Sequence, residues 1–471
     1  MQIAARFSLG NGSVMATVSS LAPVGAADAV PRQSRRIRKI LRAIVPFLLG
    51  GLCIYWRANS YTRVWSSFMP PVLYWKDCIS PFLMAKAVIH GVNPYLSLQQ
   101  LAALWLKEAH PANHPTPHPP FVALLSLPLS AFSYPALAHV WLGLEVLYVL
   151  ISIILILYWW RAPLNPLKIA LFLALAVLWM PLNEELWQGQ FMTFLMLLSI
   201  CAWLALRSGK EATGGALIGS MIAVKMMGAP IVLFYLLQRR WRIVFGAAAV
   251  VVSANVLAML VLGPSVVIDY YRNVGPLNAK LWRPAEGNLS AWAWGVRLFA
   301  GSGFSYTVSP LWPSPKLTAF ATYFLPLAVL ALALTCAWRA RSFDIQFSWL
   351  MAAIILFSPI TWYFYLLLAV IPMAVLARRL CSSAAPAEVW ALALLFWSLI
   401  SIWPLFTDHI VRSYGYTVPK FGRAWSILPF SVGLLTLLPT FGLFGLMWML
   451  SRTDDPPRSR SITTSSPTRP F

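Results

Sequence analysis

The chain has 471 residues, 59% of them hydrophobic against 11% charged, with a formal net charge of +22. Soluble domains run at about 45–50% apolar and about 25% charged, so a soluble fold is excluded and a polytopic membrane protein is implied. The positive charge is no nucleic-acid footprint, because Lys and Arg cluster at the ends of apolar segments and not along one solvated face. The cysteines (Cys53, Cys78, Cys201, Cys336, Cys381) are scattered and form neither a disulfide framework nor metal-ligand spacing.

Residues 1–42 are polar and then basic (Arg35, Arg36, Arg38, Lys39, Arg42), and the first apolar run follows the basic cluster. That order reads as an uncleaved anchor behind a cytoplasmic N-terminal segment. A spanning helix takes about 20 mostly apolar residues. Spans are expected near 43–57, 136–160, 167–182, 190–206, 213–225, 228–240, 241–263, 317–338, 344–358, 361–378, 387–406 and 427–450. Residues 119–133 form a further apolar stretch, interrupted at Pro128, that reads as re-entrant or as a full span. The sum is an all-α membrane body over 43–450 with about 11–13 transmembrane helices and no internal repeat. The tail 451–471, rich in Ser, Thr, Pro and Arg, is expected to be disordered.

Charge sets the orientation. With 119–133 not crossing, the short inner loops hold Arg161, Lys168, Arg207, Lys210, Arg239, Arg240, Arg242, Arg339, Arg341, Arg378 and Arg379. The short outer connections hold Lys225, Arg412, Lys420 and Arg423. Positive residues favour the inside, so both termini are expected in the cytoplasm of a cell whose plasma (inner) membrane holds the chain. Two long segments, 58–118 and 264–316, then lie outside. Asp77, Glu108, Glu184, Glu185, Asp269, Glu286 and Asp408 fall on that side, half of all fourteen acids. Chemistry is therefore expected at the extracytoplasmic face.

Five polar islands stand out there. Tyr74-Trp75-Lys76-Asp77 puts a carboxylate just ahead of a short helix, for which Ser80 is the expected cap, Pro81 suits the first turn and Gly91 the end, with Asn93-Pro94 turning the chain. A carboxylate held at an apolar surface is costly unless partnered or functional. Asp77 is thus either a working base or an interfacial acid paired with Lys76 or Lys86. Asn113 to Phe121, with His114, His118 and dense prolines, reads as an extended entry into the membrane. Two imidazoles four apart in such a coil do not share a helix face, which argues against a metal. Asn183-Glu184-Glu185-Leu186-Trp187-Gln188-Gly189-Gln190 supplies the acids and amides that suit sugar hydroxyls. Lys225 interrupts an apolar run and is either a site residue or a snorkelling one. Asn288-Leu289-Ser290 leads through Trp292 and Trp294, suited to headgroup depth, to Arg297, whose planar fork suits a lipid phosphate. The glycosylation sequon at Asn288 reads as chance.

In order, these pieces resemble glycosyltransferase family 87, the polyprenol-phosphate-mannose-dependent mannosyltransferases of the GT-C superfamily. The resemblance runs from Asp77 and its helix through Gly91 and Asn93-Pro94-Tyr95, Pro119-Pro120-Phe121 and Gly189-Gln190. It continues with Gly214 to Lys225, Arg239-Arg240-Trp241-Arg242, Asn288 to Arg297 and Ser358-Pro359-Ile360-Thr361-Trp362, and covers about 74–378. Three departures are visible: His118 stands where a tyrosine is common, Tyr363-Phe364-Tyr365 where many members carry a histidine, and Lys225 lacks the proline that usually follows directly, with Pro230 coming later.

The resemblance implies a GT-C-like bundle and a polyprenyl-phosphate sugar donor, most simply a β-linked mannose. Transfer to a lipid-linked or glycan acceptor would then proceed with inversion, without a cofactor or metal. It implies Asp77 as the base, Arg297, Lys225 and His118 at the donor phosphate, and Glu184, Glu185, Gln190 and Asn288 at the sugar or acceptor. A nucleotide-sugar donor would call for a soluble nucleotide-binding domain, for which the chain has no room. A transporter or flippase of lipid-linked glycans would show paired inverted halves and acids buried mid-span, where this chain has Glu145 alone. A glycan polymerase or ligase would share the large outer loops and lack the early aspartate.

Overall fold

The computed structural model describes residues 64–161, 178–285, 287–303, 307–383, 385–401, 427–428 and 437–453. The chain divides into two units, Met1–Cys53 and Ile54–Phe471, and every described residue belongs to the second. The basic N-terminal segment, the expected span 43–57, most of 167–182, the acids Glu286 and Asp408, the cations Lys168, Arg412, Lys420 and Arg423, and the tail beyond 453 lie outside the described residues.

The architecture is all-α and polytopic. A 3-10 turn, Val72–Trp75, leads to α1 (Ile79–Ile89), α2 (Leu98–Trp105) and α3 (Pro120–Leu125). Helix α1 starts with Cys78 as its N-terminal boundary residue, so Ser80 sits inside the first turn and caps nothing. Gly91 adopts φ +65°, and the Asn93 side chain accepts from the Tyr95 N–H at 2.9 Å, making the expected turn. Helix α2 is opened by a capping box between Ser97 and Gln100. Residues 119–133 resolve into α3 and a 3-10 turn, Leu127–Ala131, both packed on α1. A six-residue helix rises only about 9 Å, against about 30 Å of hydrocarbon, so α3 is too short to span by itself.

The body follows in pairs: α4 (Tyr134–Trp160), α5 (Met180–Gln188), α6 (Met192–Arg207), α7 (Glu211–Lys225), α8 (Ala229–Leu237) and α9 (Trp241–Leu262). The outer segment then carries α10 (Pro264–Asp269), a π-helical turn at Tyr270–Val274, α11 (Gly275–Trp282) and α12 (Ala291–Phe299). Helices α13 (Pro315–Arg339), α14 (Phe343–Phe357), α15 (Val370–Ser382), α16 (Ala387–Ser401) and α17 (Leu438–Arg452) complete it. Among the described residues, Tyr134–Trp160, Trp241–Leu262, Pro315–Arg339 and Tyr363–Ser382 are long and apolar enough to cross a membrane. Three two-residue extended pieces, β1 (Ser302–Gly303), β2 (Thr307–Val308) and β3 (Ile427–Leu428), pair in the order β1-β2-β3. Ser302 faces Val308 antiparallel, and Thr307 faces Ile427 parallel.

Helices α7 and α9 make the closest contact. A Cβ on Gly219 would lie 2.5 Å from the Ala247 carbonyl oxygen, so only glycine lets the backbones meet there. That contact fixes the height at which α7 delivers Lys225. The two ends of the bundle differ in chemistry. At one end Asp344 pairs with Arg207 and accepts from the Trp203 indole at 3.0 Å, Arg240 pairs with Glu211, and Arg378 lies 4.4 Å from the Trp159 ring. At the other end of α6, α7 and α14 stand Gln190, Lys225 and Ser358. Helix α6 alone separates Gln190 from Arg207 by about 24 Å at 1.5 Å per residue.

Candidate active site

Asp77 lies in the turn before α1, and the dipeptide Lys76-Asp77 caps the C-terminus of α5. The Asp77 N–H donates to the Gln188 carbonyl at 2.7 Å. The Lys76 ammonium donates to the Trp187 carbonyl at 2.6 Å and the Leu186 carbonyl at 3.3 Å. These carbonyls are the ones a helix end leaves unsatisfied, at the negative pole of its dipole. The Lys76 ammonium also sits 3.8 Å over the Phe68 ring. With its side chain only 2% exposed, burial pushes Lys76 down to about 8. Lys86 donates to the Ser130 carbonyl at 2.8 Å. Both lysines are thus engaged with backbone, and the reading of Asp77 as an interfacial acid paired to one of them is overturned.

The Asp77 side chain meets Gln190 instead. Gln190 Nε2 donates to Asp77 Oδ2 at 2.6 Å, and Gln190 Oε1 accepts from Lys225 Nζ at 2.6 Å. The Gln190 carbonyl accepts from the Trp141 indole at 3.2 Å, and Gly189, at φ +72°, lets the chain leave α5 and enter α6. Burial holds the Asp77 carboxyl above its ordinary range, while the Gln190 hydrogen bond and the charges of Lys225, His114 and Lys76 pull it back. Lys225 reaches into this site, 4.6 Å from the Tyr365 ring, so it does not snorkel away.

Glu185 lies behind, fully buried. Its Oε1 accepts from the N–H groups of Met192 and Thr193 at the start of α6. Burial lifts its carboxyl to about 8, with Lys225 and the two N–H bonds opposing. Glu145 is buried beside it, within electrostatic reach of Lys76 and Glu185.

A cavity of about 1600 Å³ opens over Asp77. Lys76, Asp77, Glu184, Gln190, Lys225, His114 and His118 supply its polar floor, and Trp75, Trp187, Tyr271, Trp282, Trp362 and Tyr363 much of its wall. Indole and phenol faces suit the C–H faces of a pyranose while their polar tips stay wet. Among the described residues no group of three or more His, Cys, Asp or Glu converges as a metal site.

The expected site residues therefore separate. Asp77, Glu184, Gln190, Lys225 and His118 line the cavity. His118 is 3% exposed, its ring edge-on to Phe191, and burial pushes its imidazole down to about 3. It can offer a phosphate a neutral N–H and no positive charge. Gln190, expected to meet sugar hydroxyls, has both ends of its amide taken by Asp77 and Lys225. Asn288 is fully buried and staples two loops: its Oδ1 accepts from the N–H groups of Ser290 and Thr361, each at 3.0 Å, and its Nδ2 donates to the Trp282 carbonyl at 3.2 Å. Such a side chain is closed to sugar and to glycosylation alike. Arg297, 4% exposed, donates through Nη2 to the carbonyls of Ala285 at 3.0 Å and Asn288 at 2.7 Å, which puts it behind the cavity wall. Composition carried no sign of the helix-capping work of Lys76, because that partner lies 110 residues away.

A helical membrane body with a polar-floored, aromatic-walled chamber centred on a carboxylate has the form of a membrane-embedded transferase. The model of Glycosyltransferase family 87 matches residues 117–359, just over half of the chain. The chain belongs to that family and is a membrane glycosyltransferase. No curated protein and no solved structure matches it. The match begins after Asp77; the bond that its N–H donates to Gln188 and the one that its carboxylate accepts from Gln190 tie that residue into the matched region.

Proposed function

We propose that the chain moves a hexose, mannose in the simplest case, from a polyprenyl-phosphate donor to a lipid-linked or glycan acceptor, with inversion, at the extracytoplasmic face. The observation that carries this reading is the Asp77 carboxylate on the floor of the large cavity, with one oxygen held by Gln190 and the Lys225 ammonium one amide away. The Arg-rich end of the bundle is the end favoured in the cytoplasm, which supports an outward-facing cavity and cytoplasmic termini.

The acceptor hydroxyl attacks the anomeric carbon as the bond from that carbon to the phosphate oxygen breaks. The electron pair of that bond leaves with the phosphate, and the hydroxyl proton passes to Asp77. A phosphodiester departs as a stable anion, so one carboxylate is sufficient, unlike glycoside hydrolysis with its acid and base pair. The raised affinity of Asp77 for a proton, set by burial, makes it a better base than a solvated carboxylate. Lys225 supplies positive charge to the leaving phosphate and His118 a neutral donor. Glu184 and the aromatic wall meet sugar. Arg297 and Asn288 act through the wall they brace.

Asp77→Asn tests the reading. The asparagine oxygen can still accept from Gln190, so the site keeps its shape and loses the base. The expected loss of transfer is about 10²–10⁴-fold, read by product mass with purified protein, polyprenyl-phosphate mannose and extracted lipids. Retention of most transfer would remove Asp77 from the mechanism, and transfer from a nucleotide sugar would remove the lipid donor.

A further inference from the structure

Gln190 lies between two charged groups of opposite sign, and only one orientation of its amide satisfies both. The ammonium of Lys225 is a donor without an acceptor site. The atom 2.6 Å from it must be the amide oxygen, so the NH₂ must face Asp77 Oδ2, also 2.6 Å away. The backbone leaves little freedom to swing: the Gln190 carbonyl is held by Trp141, and the preceding Gly189 packs against Cys78.

We propose that Gln190 is a positioning residue: Lys225 fixes its amide, and the amide in turn occupies Oδ2 of Asp77, so that Oδ1 is the oxygen presented to the acceptor hydroxyl. This rests on Asp77 being the base.

Two consequences follow from the chemistry of the chain. A hydrogen bond to the ionised form favours ionisation, so Gln190 keeps a half-buried carboxylate charged and ready. An ammonium on the far side of the amide polarises it and strengthens the bond. The other groups facing Asp77 are Lys76 and Cys78 on its own loop, His114 from the proline-rich loop, Glu185 from α5, Tyr134 from α4 and Tyr365 ahead of α15. None of these hydrogen-bonds the Gln190 side chain, whose partners are Asp77 and Lys225. The acid limb of the pH–rate profile therefore reports the Gln190 contact.

The test uses the full chain in detergent with polyprenyl-phosphate mannose and extracted acceptor lipid, following kcat/KM and acceptor KM across pH. Gln190→Met removes the donor and keeps the length. Its acid limb is expected to move up by about one to two pH units, as for loss of a hydrogen bond to a charged group. The rate falls about tenfold or more on the acid side and recovers at alkaline pH, with acceptor KM nearly unchanged. Gln190→Glu, which keeps the contact with Lys225, places a second carboxylate beside Asp77; the two cannot both ionise, so its limb moves at least as far. It is read if Gln190→Met fails to fold. Lys225→Met on top of Gln190→Met adds only the shift due to loss of the ammonium's own charge near Asp77, smaller than the shift that Lys225→Met gives in the chain with Gln190 intact. A raised acceptor KM with an unmoved limb in both variants overturns the proposal and makes Gln190 a substrate contact. The Asp77→Asn result separates the two failures: an inactive Asp77→Asn with unmoved Gln190 limbs refutes the positioning role alone, whereas an active Asp77→Asn refutes the base itself.

Discussion

Gly189→Ala is a small change with a large expected effect, because two independent terms add at one Cβ. Gly189 sits at φ +72°, where an L residue carries about 1–2 kcal/mol of strain. The new methyl would stand 3.3 Å from both Cβ and Sγ of Cys78, and 3.6 Å from the Trp141 ring. Contacts that tight force neighbours to yield, at about 1–3 kcal/mol for an overpacked core site. The destabilisation should thus be about 2–5 kcal/mol, seen as a lowered midpoint of thermal unfolding in detergent. Cys78 is bonded to Asp77, so a displacement of a few tenths of an ångström is passed to the base. Since about 1 Å of misplacement costs about 10²-fold, a several-fold to tenfold loss of kcat is expected in the protein that remains folded. Cys78→Ala on top of Gly189→Ala removes the Sγ contact and should return part of both losses. Unfolding and turnover of Gly189→Ala indistinguishable from the unmodified chain would refute the account of how α5, α6 and the Asp77 loop are joined.

Glu185 sets a pH dependence of stability. Its carboxyl, ordinarily near 4.5, is lifted to about 8 by burial, so between those values the folded chain holds a proton that the unfolded chain has lost. Stability contributed by this group is then present below pH 4.5 and declines, by about 1.4 kcal/mol per pH unit, until pH 8. Glu185→Gln, whose oxygen still accepts from Met192 and Thr193, should remove that decline; an equal slope in both proteins would refute it. Orientation is checked by single cysteines at Glu108 and Lys210 in a background without the native cysteines. An impermeant reagent should tag the first in intact cells and the second only after the membrane is opened, and the reverse pattern would place the cavity in the cytoplasm.

Composition and pattern alone determined the class of this protein. Long apolar runs must bury every backbone polar group in helices when the solvent is lipid, so an all-α membrane body follows without knowledge of contacts. Local chemistry was equally legible where the partners are near in sequence: the turn at Asn93-Pro94 and the helix end at Gly91 need only neighbours. The polar islands at Asp77, Glu184 to Gln190 and Lys225 stood out because charge is so rare here. What each of them touches was decided by the tertiary structure. Lys76 lies beside Asp77 in sequence and spans to the end of α5 in space, while Gln190, 113 residues away, is the group that holds the carboxylate. Arg297 and Asn288 resemble substrate contacts in one dimension and prove to be buried staples. A side chain's type states which bonds it can form; only the packing of distant helices states which partner is within 3 Å, and in a low-dielectric interior that distance decides its role.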